Sequence, residues 1–254
     1  MSKLPAANRF LDLSDYGRPI AKVIANGLKN TSWTPIHVTT AFIVSGILAI
    51  VCILNGYYLS ALLFLILKSI LDAADGELAR VKGTPSYIGR YYDSIADIIL
   101  NFLFLLTIWY ITDDSWILLI TAFIGIQLQG TQYNYYYVIL RNKVNGDTTS
   151  RIFEDHAPTA HKGENQKTVT NFYNGYNYLY LPFDKIIYHI DKQAIHSNPL
   201  PNWFMTMVSI FGLGFQLLTM GVMLVLGYES YILTVFSIMT LMIFAFVMIR
   251  KLVS

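Results

Sequence analysis

Residues 71–97 read LDAADGELARVKGTPSYIGRYYDSIAD. Four aspartates, Asp72, Asp75, Asp93 and Asp97, stand there at the joined ends of two apolar stretches. An ionised side chain in a bilayer core costs roughly 2.5–3.5 kcal/mol on insertion scales, so four of them need a reason. On a helix, Asp72, Asp75, Gly76 and Ala79 fall at i, i+3, i+4 and i+7, one face. Gly89, Asp93 and Asp97 fall at i, i+4 and i+8, a second single face. Two carboxylate-bearing faces meeting across a helix pair make an all-oxygen cage, which suits a hard cation such as Mg²⁺ or Mn²⁺.

The rest of the chain says membrane. Of 254 residues, 54% are hydrophobic and only 13% charged, against about a quarter charged in soluble domains; mean hydropathy is +0.46. Cys52 is the single cysteine, so no internal disulfide forms. The first residues lack the pattern of a signal peptide. Six spanning segments of about 20 residues are expected: Ile36–Tyr57, Leu59–Leu78, Ile88–Ile111, Trp116–Leu140, Trp203–Leu226 and Tyr231–Ile249. The second and third carry the Asp motif at their joined ends. The fold class is therefore an all-α integral membrane bundle of six transmembrane helices, in one domain over residues 1–254. Residues 1–34 precede the spans as an amphipathic cytoplasmic segment. Within it Pro19 is placed to open a helix, and Ile20, Val23, Ile24 and Leu28 line one face, which reads as an interfacial helix or as a short helix in a soluble tail. Residues 142–202 form a long connection, in which Pro182–Ile195 suggests a second amphipathic helix.

Charge sets the orientation. Seventeen of the eighteen Lys and Arg lie in the N-terminal segment, in the second and fourth connections, at the C-terminus, or at helix ends beside them. The other three connections hold only Asp113, Asp114 and Glu229. By the positive-inside rule both termini and the Asp cluster face the cytoplasm. The eighteenth base, Lys68, lies inside the second span, four residues before Asp72. It can pair with that carboxylate, meet a substrate phosphate, or snorkel toward water.

The carboxylate faces imply an anionic, metal-bridged substrate, of which phosphate is the usual one. Arg80 at the cytoplasmic mouth can fork onto phosphate oxygens. Gly76 and Ala79 keep the face free of bulk, and Gly89 permits close helix packing. A carboxylate not used as a ligand can act as general base, and Asp97 is the natural candidate.

The pattern D-x2-D-G-x2-A-R-x8-G-x3-D-x3-D resembles the signature of the CDP-alcohol phosphotransferase family. All eight fixed identities are present: Asp72, Asp75, Gly76, Ala79, Arg80, Gly89, Asp93 and Asp97. The resemblance implies transfer of a phospho-substituted group from a CDP-linked donor to an alcohol acceptor, with release of CMP. It implies that Asp72, Asp75 and Asp93 hold two divalent ions, Mg²⁺ or Mn²⁺, with Asp97 as base and possible fourth ligand. It places Gly76, Ala79 and Arg80 at the cytidine and phosphates, and it implies a homodimer in the membrane lipid. Relatives also carry P-N-x-x-T at the first span; here Pro35 and Thr39 match while Ile36 replaces Asn. Thr39 is thus a candidate diphosphate contact, or a hydroxyl bonded to its own helix backbone.

The donor is expected to be CDP-diacylglycerol, by analogy with compact six-span relatives; CDP-choline or CDP-ethanolamine with a lipid alcohol is the alternative. Arg141, Lys143 and Arg151 would suit a phosphorylated acceptor, or simply obey the positive-inside rule. Gln129, Gln132, Tyr133, Tyr136 and Tyr137 fall within two turns of the fourth span. They suggest a cage for a choline-like cation or an interfacial aromatic belt. The histidines show no metal-ligand spacing. Further off lie a membrane prenyltransferase, which would need a second Asp motif absent after Asp97, and a divalent-cation transporter. No nucleic-acid partner is expected.

Overall fold

A computed structural model describes residues 4–146, 153–154 and 156–253. Arg151 lies outside them. The described residues are helical, without a strand. Helix α1 (Arg18–Leu28) opens with Pro19 in its first turn. Its expected apolar face divides. Ile24 and Leu28 join Ala21 and Ala25 against Val38, Ala74 and Leu78, while Ile20 and Val23 are exposed.

Helix α2 (Pro35–Leu54) starts at a capping box: Thr34 Oγ1 accepts the His37 N–H, and His37 Nδ1 accepts the Thr34 N–H. Helix α3 (Tyr58–Lys82) packs along it and ends at Gly83, whose φ of 63° suits a residue without Cβ. Helix α4 (Tyr87–Thr112) is capped by Ser86, whose Oγ accepts the Gly89 N–H at 2.8 Å. Helix α5 (Trp116–Lys143) follows a three-residue turn. The apolar side chains of these four helices, among them Phe42, Leu65, Phe104 and Leu119, build one core with Leu217 and Phe236.

Helix α6 (Gln166–Ile190) corrects the expectation of a helix starting at Pro182. It begins sixteen residues earlier, where Asn165 Oδ1 accepts the Thr168 N–H, and Pro182 sits inside it. A proline forfeits only one backbone hydrogen bond, and packing of this helix on α4 and α5 carries it through.

The fifth and sixth expected spans are interrupted. Helix α7 (Asn202–Val208), extended by a short 3₁₀ turn to Phe211, meets α8 (Leu213–Val225) at a 53° bend. Gly212 is extended there, with ψ 148°. Helices α9 (Ile232–Met239) and α10 (Met242–Val253) are separated by a turn at Thr240 and Leu241.

By length and apolarity, residues 35–54, 87–112 and 229–253 are long enough to cross a membrane, and the bent pair α7–α8 makes a fourth candidate. Helices α3 and α5 have 25 and 28 residues, about 37 and 42 Å at 1.5 Å per residue, but their polar residues keep them below that standard of apolarity. Those residues, Lys68, Asp75 and Glu77 on α3 and Gln127, Gln129 and Gln132 on α5, are turned into the bundle and buried.

The N-terminal segment is built into the bundle. Leu13 N–H donates to Ser209 Oγ at 2.9 Å, and Tyr133 OH donates to Asp12. The Ser14 carbonyl lies so close to Gly214 that any side chain there would overlap it.

Candidate active site

The motif's periodicity is realised on α3 and α4. Asp72, Asp75 and Asp93 each offer an oxygen, and the three oxygens lie within 4.8 Å of one another. Thr39 on α2 orients Asp75: its hydroxyl stands 2.6 Å from Asp75 Oδ2 and 3.1 Å from the Pro35 carbonyl. A hydroxyl has one proton, and the shorter contact to a carboxylate takes it. The backbone contact expected of Thr39 is thus present as the longer of the two, and Asp75 is a partner that the sequence did not show.

Asp97 lies one turn farther along α4. Its Oδ1 pairs with the Lys68 ammonium, which also stands 3.3 Å from Asp72 Oδ2. Lys68 does not snorkel. It is 0% exposed, and its Nζ lies 4.6 Å from the centre of the Phe42 ring. The expected pairing with Asp72 is present, and Asp97 is a partner that spacing along one helix cannot show.

One atom of this group is unfinished. Asp93 Oδ1 is buried and has no hydrogen-bond partner among the described residues. Buried acceptors are nearly always satisfied, and a carboxylate oxygen is costly to strand. Three converging carboxylates with one stranded oxygen fit a hard divalent cation with oxygen ligands.

The residues around the cluster are arranged less simply. Arg80 Nη2 pairs with Glu77 Oε1 at 3.0 Å, and the same carboxylate takes Arg18 Nη1 at 2.8 Å. The guanidinium proposed for phosphate is thus already held, at the mouth, by a buried acid. Gly76 faces that guanidinium: a Cβ there would stand 3.6 Å from Arg80 Nη1. Ala79 is half-buried in the last turns of α3. Gly89 differs from expectation. A Cβ at Gly89 would meet chiefly its own cap, Ser86, with Ile36 of α2 at 3.9 Å. The glycine makes room for the cap that starts α4 rather than for a second helix.

Residues outside the motif steady this end of α4. Glu164 accepts from Ser86 Oγ at 2.7 Å, from Ile88 N–H at 2.9 Å and from His161 N–H at 3.1 Å. Burial opposes its charge, yet these donors hold its carboxyl below the usual range. Arg90 pairs with Glu154 at 2.7 Å, and Tyr91 OH donates to the same oxygen at 2.7 Å. From α6, Tyr180 OH donates to the Ser94 carbonyl at 2.7 Å, next to Asp93. The lone clue to these contacts in the sequence is the cluster of Tyr and Phe on α6; nothing local pairs it with α4.

The Tyr-rich fourth span is neither of the two things expected. Gln129, Gln132 and Tyr136 are fully buried. Gln129 Nε2 donates to the Phe236 carbonyl at 2.9 Å, Gln132 Nε2 to Ile243 at 3.1 Å, and Tyr136 OH to Asp191 Oδ2 at 2.7 Å. Tyr133 reaches Asp12 and Tyr137 packs edge-on to Phe10. The reason is helical period: residues at i, i+3, i+4 and i+7 share the side that faces α9, α10 and the N-terminal segment. They are interhelical wiring. Arg141 is likewise buried, its guanidinium 5.0 Å from the Tyr137 ring. Of the histidines, His37 closes the α2 cap and His161 stacks on Tyr87 with centroids 4.4 Å apart.

The model of the CDP-alcohol phosphatidyltransferase family matches residues 33–160, half of the chain. The matched part begins just before α2 and holds the whole carboxylate cluster; α6 to α10 lie beyond it. The chain has no match among curated proteins or among solved structures. The apolar helices together with this match mark an integral membrane protein. A chain whose matched half carries all eight motif residues on α3 and α4, two helices that both pack on α2, belongs to the CDP-alcohol phosphatidyltransferase family of phosphotransferases.

Proposed function

We propose that this enzyme moves a phosphatidyl group from CDP-diacylglycerol to the hydroxyl of a small alcohol and releases CMP. The observation that carries the reading is the Asp72, Asp75 and Asp93 cluster with its stranded Asp93 oxygen. Those three residues would hold Mg²⁺ or Mn²⁺, and a cation there neutralises diphosphate charge and makes the phosphorus easier to attack. Asp97 accepts the proton of the acceptor hydroxyl. The acceptor oxygen then bonds to the phosphorus distal to cytidine, the P–O bond of the diphosphate bridge breaks, and CMP carries away the electron pair. Thr39 holds Asp75 in register. Arg80, Gly76 and Ala79 line the way to the nucleotide, with Arg80 exchanging Glu77 for a phosphate, and Gly89 fixes the start of α4.

The bundle in this reading has six spans: α2, α3, α4, α5, the bent α7–α8 and the broken α9–α10. Helix α1 lies at the interface, with Ile20 and Val23 toward lipid. The position of bases supports cytoplasmic termini: Arg80 and Lys82, Arg141 and Lys143, and Arg250 and Lys251 lie in last turns. Asp113, Asp114 and Glu229 mark the opposite ends. A homodimer in the membrane belongs to the same reading.

The test is CMP release by purified protein in detergent with Mn²⁺. CDP-diacylglycerol and CDP-choline are offered as donors against a panel of alcohols. Release from CDP-diacylglycerol that depends on one alcohol is expected; release from CDP-choline alone would replace the donor. In Asp72→Ala, metal-dependent CMP binding is expected to vanish, and unchanged binding would end the case for the cluster.

A further inference from the structure

The family pattern supplies four carboxylates, and four carboxylates suggest two cations. This chain adds a fifth charged group to the cluster. Lys68 enters from α3 one turn before Asp72, with a stem buried in the bundle and an ammonium between Asp72 and Asp97. We propose that the Lys68 ammonium stands in the place of a second divalent cation, so that the resting site takes one ion at Asp72, Asp75 and Asp93 and leaves Asp97 unligated. The inference rests on the reading of that cluster as a cation site.

Three observations carry it. Among the described residues the carboxylates that converge within 4.8 Å are three, and Asp97 is outside them. The stranded acceptor is Asp93 Oδ1, on the side of the three, whereas Asp97 already has a cationic partner. And Lys68 has nowhere else to go. It is 0% exposed, its hydrogen-bonded acceptors are Asp72 and Asp97, and the Phe42 ring closes over the ammonium. A second divalent ion bound through Asp97 would have to lie against a buried ammonium or displace it into apolar surroundings, and both are unfavourable.

The arrangement divides the work. A carboxylate oxygen bound to a divalent ion is not open to the acceptor hydroxyl. Asp97 pairs with the ammonium through Oδ1 and keeps its second oxygen for the acceptor hydroxyl. Lys68 is in this account a positioning residue: it acts through Asp97.

The experiment counts ions. Purified wild type in detergent, without nucleotide, is titrated with Mn²⁺ by calorimetry, and bound manganese is measured after desalting. The paramagnetic resonance spectrum then distinguishes an isolated ion from a coupled pair. One Mn²⁺ per chain with an isolated-ion spectrum is expected in wild type. Two ions with a coupled spectrum are expected in Lys68→Met, where Asp97 is released. Two ions in wild type would overturn the inference and leave the cation site standing. One ion in both proteins would also overturn it, since the ammonium would then exclude nothing. No Mn²⁺ in wild type would remove the cation site itself. Should Lys68→Met fail to fold, Asp97→Asn takes its place: Mn²⁺ affinity within about threefold of wild type supports an unligated Asp97, and a loss beyond tenfold refutes it.

Discussion

Two groups of charges lie inside the helical bundle, and they are finished differently. At the junction of α5, α6 and α10, Asp191 is 2% exposed, and both of its oxygens are taken. Arg250 Nη2 pairs with one; Arg250 Nε at 2.8 Å and Tyr136 OH at 2.7 Å hold the other. Its backbone carbonyl accepts Tyr135 OH at 3.1 Å. At the other group, Lys68 ties two of the four carboxylates and Thr39 a third, while Asp93 Oδ1 has no partner among the described residues. A buried charge whose partners all come from the chain fastens helices together. A buried charge with a vacant lone pair is shaped for something the chain does not supply. Buried charge is thus not enough to mark a site; three carboxylates converging beside an unfilled acceptor are the sign.

Substitutions should separate the two groups cleanly. Asp97→Asn is expected to cost about 10²- to 10⁴-fold in turnover, the usual worth of a general base, with CMP binding close to wild type. Loss of binding as well would place Asp97 among the ion's ligands. Arg250→Met is expected to act the other way round. Breaking a buried pair from one side costs about 3–5 kcal/mol, read as a fall in melting temperature in detergent, while any protein that remains folded keeps its affinity for Mn²⁺. If Arg250→Met left stability untouched and lowered Mn²⁺ binding, the comparison would collapse. Thr39→Val sharpens it from within the open group: losing the hydroxyl that orients Asp75 should weaken Mn²⁺ binding about 10- to 100-fold, as removal of an outer-shell partner does.

The smallest expected effect lies outside both groups. Burial on α6 pushes the Asp184 carboxyl up to about 7, and the charge of Glu154 adds to it. A folded-state value above the unfolded one means that the folded protein holds the extra proton between pH 4 and 7. Stability from this group is therefore present at the acid end and is lost as pH rises through that window. Asp184→Asn is expected to raise the melting temperature at pH 8 and to match wild type near pH 4. Equal curves at both pH values would mean that Asp184 is solvated.

Much of the open group was legible in the sequence because helical period does the work. Asp72 and Asp75 share a face by spacing alone, as do Asp93 and Asp97, and only the meeting of the two faces had to be found. Lys68 was half legible: its neighbour Asp72 is four residues away, but Asp97 is on another helix. The closed group was not legible, since Asp191, Tyr136 and Arg250 come from three distant segments and no local pattern links them. The glutamines and tyrosines of α5 misled for the same reason. Their type suggests water or a ligand, and only the partners on α9, α10 and the N-terminal segment show that they face inward. Pro182 misled in the opposite direction, because a residue that starts helices can also be carried inside one.

The N-terminal segment has a consequence in time. Leu13 bonds to Ser209, 196 residues later, and Ser14 is seated against Gly214. At a synthesis rate of 5–20 residues per second, about 10–40 s separate the emergence of the two partners. Throughout that interval Leu13 and Ser14 have no berth in the bundle, and the bend that receives them does not yet exist. Helix α1, already tethered to α3 by Ala21 and Ala25, keeps the segment within reach until α7 and α8 arrive, so that a stretch made before them is among the last parts of the bundle to be put away.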